Sequence, residues 1–370
     1  MKRVGIYGGT FDPVHNGHLR VADLAVKQLN LDKLIIIPAG IPPHKPDEMI
    51  SDNFHRLKMC ELAFCGEKYE VSDYEIKKGG KSYTYQTVEH FKKEGEELFL
   101  IIGGDSLYNL HTWKNPQAIL NLAHVFAVGR LDEGKMTNFI KDNMDKITIC
   151  DIPTGAESST EIRVLTQFGE DISSFVPPVI EKYVKENALY SNFSSIAKKV
   201  KERLKTSRYN HTIGVVLTAT KLNQQAHVLE EKAFIAALLH DVAKYEGEDC
   251  INKYEERLKK EGVYLPKPVI HAFLGSYIAK DEFNITDEEI LSAIKYHCTA
   301  KPNMSNLEKL IYLSDGIERG RDYPSVDKIR EITKLDFENG FVALLNHVYE
   351  YVKEKDTCPL TKQAVEYYLK

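Results

Sequence analysis

The sequence predicts two parts in tandem: an α/β part built on a parallel sheet, then an all-α part. Three observations carry that expectation. Up to about residue 188, short apolar runs such as Val4 to Tyr7, Lys33 to Pro38 and Glu97 to Ile102 alternate with segments of helical spacing. Continuous apolar runs of this kind are strands of a sheet covered on both faces. Beyond about residue 190 such runs stop and helical periodicity takes over. The length, 370 residues, also exceeds what one core usually supports. The expected domains are 1–188 and 192–370.

The elements follow in order. Val4 to Tyr7 reads as the first strand, and a helix is expected from near Gly17 through Leu19, Ala22, Leu24, Ala25 and Leu29. Lys33 to Pro38 is a second strand, Asn53 to Phe64 a helix, and Tyr69 to Ile76 alternates like a strand. Thr84 to Lys93 reads as a helix, Glu97 to Ile102 as a buried strand, and His124 to Val128 and Lys146 to Cys150 as the last strands. A proline-started helix in Phe175 to Glu186 closes the first part. The polar, cap-rich stretch Asn187 to Ser195 places the junction near residue 190. Helices are then expected over Ser195 to Lys205, from Arg208 through Leu222, and over Glu230 to His240, Ile290 to Tyr296 and Met304 to Ser314.

Composition removes several classes. A net charge of −5 gives no support to a nucleic-acid or membrane partner. No apolar run reaches the length of a membrane span, and the N-terminus enters a strand with no signal-peptide pattern. The six cysteines are scattered without a CxxC pair, so a reducing cytoplasm is the expected location. A homo-oligomer is compatible with all of this, and the sequence does not decide it.

The densest chemical information lies in Gly8-Gly9-Thr10-Phe11-Asp12-Pro13-Val14-His15-Asn16-Gly17-His18. Two glycines after a strand let the backbone approach a ligand. His18 falls in the first helical turn, where free N–H groups and the helix dipole attract anions. His15, three residues earlier, can reach the same place. Strand, glycine turn, two histidines and helix N-terminus describe a phosphate site. The string resembles the GGTFDPxHxGH signature of the nucleotidyltransferase superfamily, which implies a Rossmann-like fold with Gly8, Gly9, Thr10 and Phe11 lining the nucleotide.

Ser158-Ser159-Thr160-Glu161-Ile162-Arg163 is similar to that superfamily's second signature, ISSTxIR, with Glu157 where an aliphatic residue is usual. The resemblance implies that Ser159, Thr160 and Arg163 meet triphosphate. Pro42-Pro43-His44-Lys45, Gly103-Gly104-Asp105-Ser106, Trp113 and Arg130 match the bacterial nicotinate-nucleotide adenylyltransferases in order and spacing. By that resemblance His44 and Lys45 reach phosphates, Asp105 after Gly104 holds a ribose, and Trp113 stacks on the pyridine ring. Arg130 and Thr84 belong to the same substrate-binding set. Gln86 stands where the family usually has an acid.

The implied reaction is transfer of AMP from Mg²⁺–ATP to nicotinate mononucleotide, giving deamido-NAD and pyrophosphate. The attacking phosphate is already anionic, so the reaction needs in-line positioning and charge neutralisation rather than a general base. His18 is the expected donor to the α-phosphate, with His15, Lys45 and Arg163 in support.

In the second half, His211, the doublet His240-Asp241 and Asp315 lie on separate helical segments. Imidazole with carboxylate is the donor mix for Fe, Mn, Co, Ni or Zn. The ordered set resembles the H…HD…D signature of the HD phosphohydrolase superfamily. His271 and His297 are the extra histidines of a subgroup similar to bacterial symmetrical bis(5′-nucleosyl)-tetraphosphatases. That resemblance implies an iron-type centre hydrolysing diadenosine tetraphosphate to two ADP. His211, His240, Asp241 and Asp315 would hold one metal. His271 and His297 would ligate a second metal or bond the phosphate chain, and the sequence leaves both open. Lys244 would pair with phosphate if the helix carrying His240 continues.

The expected function is thus bifunctional. A second reading makes the helical half a non-catalytic nucleotide or metal sensor that regulates the transferase. A third has the first half activate another mononucleotide, which Trp113 with Gly103-Gly104-Asp105 disfavours.

Overall fold

The computed structural model describes the chain except residues 42–49, 130, 131, 153–156 and 370. His44, Lys45 and Arg130 lie outside the described residues. The chain divides into two compact units, Met1–Arg163 with Asp171–Tyr190, and Val164–Glu170 with Ser191–Lys370.

The first unit is built on strands β1 (Lys2–Gly9), β2 (Lys33–Pro38), β3 (Tyr69–Val71), β4 (Glu96–Gly103), β5 (His124–Val128) and β6 (Ile147–Cys150). They form one sheet in the order β3-β2-β1-β4-β5-β6, and every neighbouring pair is parallel. The strands are buried runs of Val, Ile, Leu and Phe, as a sheet covered on both faces requires. Helices α1 (Asn16–Gln28), α2 (Asn53–Ala63), α3 (Tyr74–Lys78), α4 (Thr84–Phe91), α5 (Gly104–Tyr108), α6 (Pro116–Leu122), α7 (Asn138–Lys141), α8 (Ser159–Gln167) and α9 (Pro178–Glu186) lie between and after the strands. The order reverses between β1 and β4, and a ligand crevice opens outside the carboxyl ends of such a pair. Gly5 keeps the layers close, since a Cβ there would stand 2.6 Å from Leu31 and Leu34.

One expected strand is corrected. Tyr69 to Ile76 is not extended throughout: β3 stops at Val71 and α3 begins at Tyr74. Only Tyr69 to Val71 pair with β2. Glu75 then turns inward, where its carboxylate accepts from the Thr87 hydroxyl at 2.6 Å.

The second unit is helical, with no strand among its described residues. Its helices are α10 (Ser194–Arg203), α11 (Thr206–Ala226), α12 (Glu230–Leu239), α13 (Glu248–Lys253), α14 (Glu255–Lys260), α15 (Ile270–Glu282), α16 (Glu288–Tyr296), α17 (Asn306–Ile317), α18 (Val326–Leu335), α19 (Phe337–Val352) and α20 (Pro359–Tyr368). Helix α12 is buried from Ala233 to Leu239, which fits a helix apolar on all sides. It packs on α11, α16 and α17, and α15 packs on α16. Asp287 caps α16 by accepting from the Glu289 and Ile290 N–H groups. A reciprocal Ser305–Glu308 capping box starts α17. These two caps fix the starts of the helix that leads to His297 and of the helix that carries Asp315. Among the described residues, no helix is long and apolar enough to cross a membrane.

Candidate active sites

In the first unit β1 ends at Gly9, paired with Pro38 of β2. A Cβ at Gly9 would stand 3.1 Å from the Phe11 ring, so the glycine lets that ring fold back under the turn. Phe11 has φ 52°, a region non-glycine residues seldom occupy. Packing holds it there: the ring is buried, with Tyr7 at 5.5 Å and Phe64 at 5.9 Å between centroids. The Asp12 carboxylate is buried and accepts from the Ser51 N–H at 3.2 Å and the Tyr190 hydroxyl at 2.6 Å.

Arg56, 1% exposed, fastens the surroundings. Its guanidinium donates to the carbonyls of Thr10 at 3.0 Å, Gly40 at 3.0 Å and Ser51 at 3.1 Å. The turn, the exit of β2 and the approach to α2 therefore hang on one planar fork.

His15 precedes α1 and His18 lies in its first turn. The two rings stack with centroids 3.6 Å apart. The His15 backbone N–H donates to His18 Nδ1 at 3.1 Å. An accepting Nδ1 places the proton of neutral His18 on Nε2, and this makes Nε2 the donor. Burial lowers the His15 pKa to about 4, against the pull of Glu157, so His15 is uncharged at neutral pH.

The second signature string meets the first. The Ser159 hydroxyl donates to the Pro13 carbonyl at 3.1 Å, and Arg163 Nη1 donates to the Asp12 carbonyl at 2.8 Å. Arg163 Nη2 reaches Thr160 Oγ1 at 3.5 Å, while Arg163 Nε is buried without a partner. Glu157, the departure from the family string, pairs with Arg20 of α1.

Beside the turn, a cleft of about 740 Å³ is lined by Gly8, Gly9, Thr10, Thr84, Asp105 and Trp113. Gly104 and Asp105 open α5 directly after β4. Gln86 does not line this cleft and accepts from the Lys78 ammonium instead. The structure therefore brings six of the expected binding residues to one cavity at the carboxyl ends of β1 and β4.

In the second unit the predicted residues converge from five helices. His211 lies in α11, His240 and Asp241 just after α12, His271 in α15, His297 just after α16, and Asp315 in α17. His211 Nε2 is 3.0 Å from Asp315 Oδ1 and 3.4 Å from His240 Nε2. Asp241 Oδ2 is 3.5 Å from His240 Nε2 and 3.9 Å from His211 Nε2. Its Oδ1 is 3.0 Å from His271 Nε2 and 3.5 Å from His297 Nε2. Two groups with metal-ligand proximity are His211, His240 and Asp315, and His240, Asp241 and His297.

The rings are aimed by their other nitrogens. His240 Nδ1 faces the Ala237 carbonyl at 2.7 Å, and His297 Nδ1 faces the Ile294 carbonyl at 2.7 Å. His211 Nδ1 faces Glu318 Oε1 at 3.1 Å. Only a protonated nitrogen suits a carbonyl or carboxylate at these distances, so in the neutral rings each Nε2 lone pair points inward. Burial lowers His240 to about 3 and keeps it neutral. Burial opposes ionisation of Asp241, yet the His271 imidazole beside Oδ1 holds its carboxyl well below the usual carboxylate range. Lone pairs and carboxylate oxygens thus face one another, which is the arrangement a divalent cation fits.

Glu318 reaches His211 across a gap in α11. A methyl at Gly214, one turn from His211, would collide with the Glu318 carboxylate. Lys244 enters the site, but not along a continued helix: α12 ends at Leu239 and turns carry the chain onward. Lys244 Nζ lies 3.0 Å from His271 Nε2 and 3.5 Å from Asp241 Oδ1.

Four groups at this site were outside the expected ligand set. Arg208 Nη1 donates to Asp241 Oδ2 at 2.9 Å, Arg321 pairs with Asp315, Glu318 orients His211, and Cys298 touches two histidines. The sequence signal for Cys298 was its place next to a predicted ligand, His297. For Arg208 it was its helical spacing of three from His211.

Comparison with known families agrees with both halves. A cytidylyltransferase-like family model matches residues 6–174, and an HD domain model matches residues 208–320. A Clostridium tetani protein described as a "probable nicotinate-nucleotide adenylyltransferase" is 43% identical over 199 residues, covering 51% of this chain and all of its own length. A Synechococcus protein of the same description is 38% identical over 196 residues, covering 51% of this chain and 95% of its own. A solved Clostridium acetobutylicum structure, described as a "predicted HD superfamily hydrolase involved in NAD metabolism", is 33% identical. It covers 48% of this chain and 97% of its own, with a TM-score of 0.43. The expected order, a Rossmann-like nucleotidyltransferase domain and then a helical HD domain, is borne out.

Proposed function

We propose, on the premise that this chain belongs to the nicotinate-nucleotide adenylyltransferase family through its first half and carries an HD domain in its second, that it is a bifunctional enzyme. The first unit transfers AMP from Mg²⁺–ATP to nicotinate mononucleotide, releasing pyrophosphate and deamido-NAD. The second hydrolyses diadenosine tetraphosphate to two ADP at a metal centre.

For the first unit the carrying observation is the cleft that joins Gly8, Gly9 and Thr10 to Asp105 and Trp113. Glycine backbone takes up phosphate, Asp105 a ribose hydroxyl, and the half-buried indole a pyridine face. His18 presents Nε2–H to the α-phosphate because Nδ1 is occupied by the His15 N–H. Neutral His15, stacked on His18, holds that ring in place without adding charge. Arg163 and Ser159 steady the turn from α8. Turnover of nicotinate against nicotinamide mononucleotide with ATP tests the substrate. The acid is expected to be preferred, and equal turnover contradicts the reading.

For the second unit the carrying observation is the convergence of His211, His240, Asp241 and Asp315 with their lone pairs inward. A bound divalent ion, with iron the expected one, would neutralise phosphate charge and activate water there. Lys244, 28% exposed at its side chain, has the reach to meet the phosphate chain, and Arg208 holds Asp241 in place. ADP formation from diadenosine tetraphosphate is measured with added Fe²⁺ or Mn²⁺ for the wild type and Asp241→Ala. The variant is expected to lose the activity by on the order of a thousandfold or more, because it loses the metal. Equal rates would leave the sensor reading instead.

A further inference from the structure

A second cavity of the helical unit, about 550 Å³, opens between α14, α15 and α16. Arg257, Tyr277, Lys280, Glu288, Lys295 and Tyr296 line it, and the histidines and aspartates of the metal site do not. The helix period explains the separation. Lys280 follows His271 by nine residues on α15, and His297, still in helical conformation, follows Glu288 by nine on α16. Nine residues are two and a half turns, so the cavity and the histidines lie on opposite faces of the same two helices. We propose that this cavity binds a nucleoside diphosphate, at a site separate from the metal position and behind it. Nothing in this depends on which metal, or which reaction, the opposite face carries.

Three observations support it. The first is charge. Arg257, Lys280 and Lys295 face the cavity with a single lining carboxylate, Glu288. The carboxylates paired with Arg257 and Lys295 are Asp281 at 3.0 Å and Glu261 at 2.8 Å, and neither lines the cavity. They hold the two cations from behind. Lys280 pairs with Glu288 at 2.9 Å, but both side chains are largely exposed. A pair of that kind is weak and yields to a diphosphate, whose several charges suit three convergent cations.

The second is preorganisation. Glu261 Oε1 accepts from the Tyr277 hydroxyl at 2.6 Å and from the Lys295 ammonium at 2.8 Å. That ammonium also lies 5.6 Å from the Tyr277 ring centroid, 5.9 Å from Phe273 and 6.0 Å from Tyr296. A long side chain is thereby fixed before a ligand arrives, which lowers the cost of binding. The third is the rest of the lining. The half-buried Tyr296 ring offers a π-face to a base, and Glu288 can accept from ribose hydroxyls once Lys280 turns to phosphate. A cavity of this size falls in the range of small-molecule sites, about 300–1,000 Å³.

The full chain is treated with an amine-acylating ester, and modification of each lysine is followed by mass spectrometry with and without ADP. At saturating ADP, Lys280 and Lys295 should react on the order of tenfold more slowly. Lys259 of α14, which does not line the cavity, should react at its ordinary rate. Adenosine should give no protection, because it brings no charge to the cations. Inorganic pyrophosphate should protect only at higher concentration, because it brings no base or ribose. Arg257→Gln, at a half-exposed side chain, should raise the ADP concentration needed for half-protection on the order of tenfold. The reactivity of Lys244 at the metal centre should stay as in the wild type. Absence of protection at Lys280 and Lys295 in the wild type overturns the inference without recourse to any variant. Equal protection by pyrophosphate and ADP overturns the nucleoside assignment. A change at Lys244 that parallels the change at Lys280 and Lys295 in Arg257→Gln overturns the separation of the two sites.

Discussion

The first unit meets phosphate with one contiguous turn, and the second gathers its ligands from five helices far apart in sequence. Gly8 to His18 is set by strand β1, by the glycines and by the opening of α1. Its histidine nearest the turn, His15, is uncharged, and Arg56 and Arg163 are spent on carbonyls of the loops. In the second unit, charge is concentrated: Asp241, Asp315, Glu318, Arg208, Arg321 and Lys244 surround four histidines. A site that joins phosphates can be built from neutral donors placed on developing charge. A site that holds a metal needs anionic and lone-pair donors, and each must be paired in a low-dielectric interior.

That contrast can be broken in three ways. The largest effect is expected for His18→Ala. AMP transfer should fall about a hundred- to a thousandfold, the usual cost of one transition-state donor. Diadenosine tetraphosphate hydrolysis should stay at the wild-type rate, and parallel assays of the two reactions check this. A matching fall in both rates would mean that the two sites are not separate.

Arg56→Met comes next. It leaves the Thr10, Gly40 and Ser51 carbonyls without their donor in a buried setting. The first unit should lose about 3 kcal/mol, read as a lower calorimetric transition for that unit. The second unit's metal content should not change.

The smallest effect is pH-dependent. Burial lowers the folded pKa of His15 to about 4, below the ordinary imidazole value of about 6.5, so the unfolded chain binds the proton more tightly. The stability His15 contributes is complete above about pH 6.5 and is lost as pH falls toward 4. By pH 5 the first unit should have lost about 2 kcal/mol relative to pH 7.5. Thermal melts of the wild type and His15→Gln at both pH values check this, with a flatter dependence expected for the variant.

The same contrast explains what was legible in the sequence. The glycine turn and Asp105 lie at the ends of apolar runs, so strand order alone carries them to one edge, where Trp113 joins them from beyond α5. The break after Val71 was not legible, because Tyr69 to Ile76 alternates as a strand does. What ends the strand is the inward turn of Glu75 to Thr87, a tertiary contact. The histidines and aspartates of the second unit were legible through the doublet His240-Asp241 and its ordered partners. Their supports were not. Glu318 and Arg321 sit past the end of α17, and only the packing of α17 on α11 brings them to His211 and Asp315. Lys244 was expected from helical spacing, yet it arrives by way of a turn. Cys298 stands beside an expected ligand, His297, but with no CxxC pair nothing in the sequence marks it out.

Gly214 shows what such supports demand of the scaffold. Alanine in the middle of α11 would favour the helix by about 1 kcal/mol. It would also push the Glu318 carboxylate off the ring it orients. Selection for thermal endurance alone would therefore favour alanine at this position, and selection for turnover would keep glycine. The most heat-resistant relative of this chain need not be its most active one, and residue 214 is where the two pressures would part.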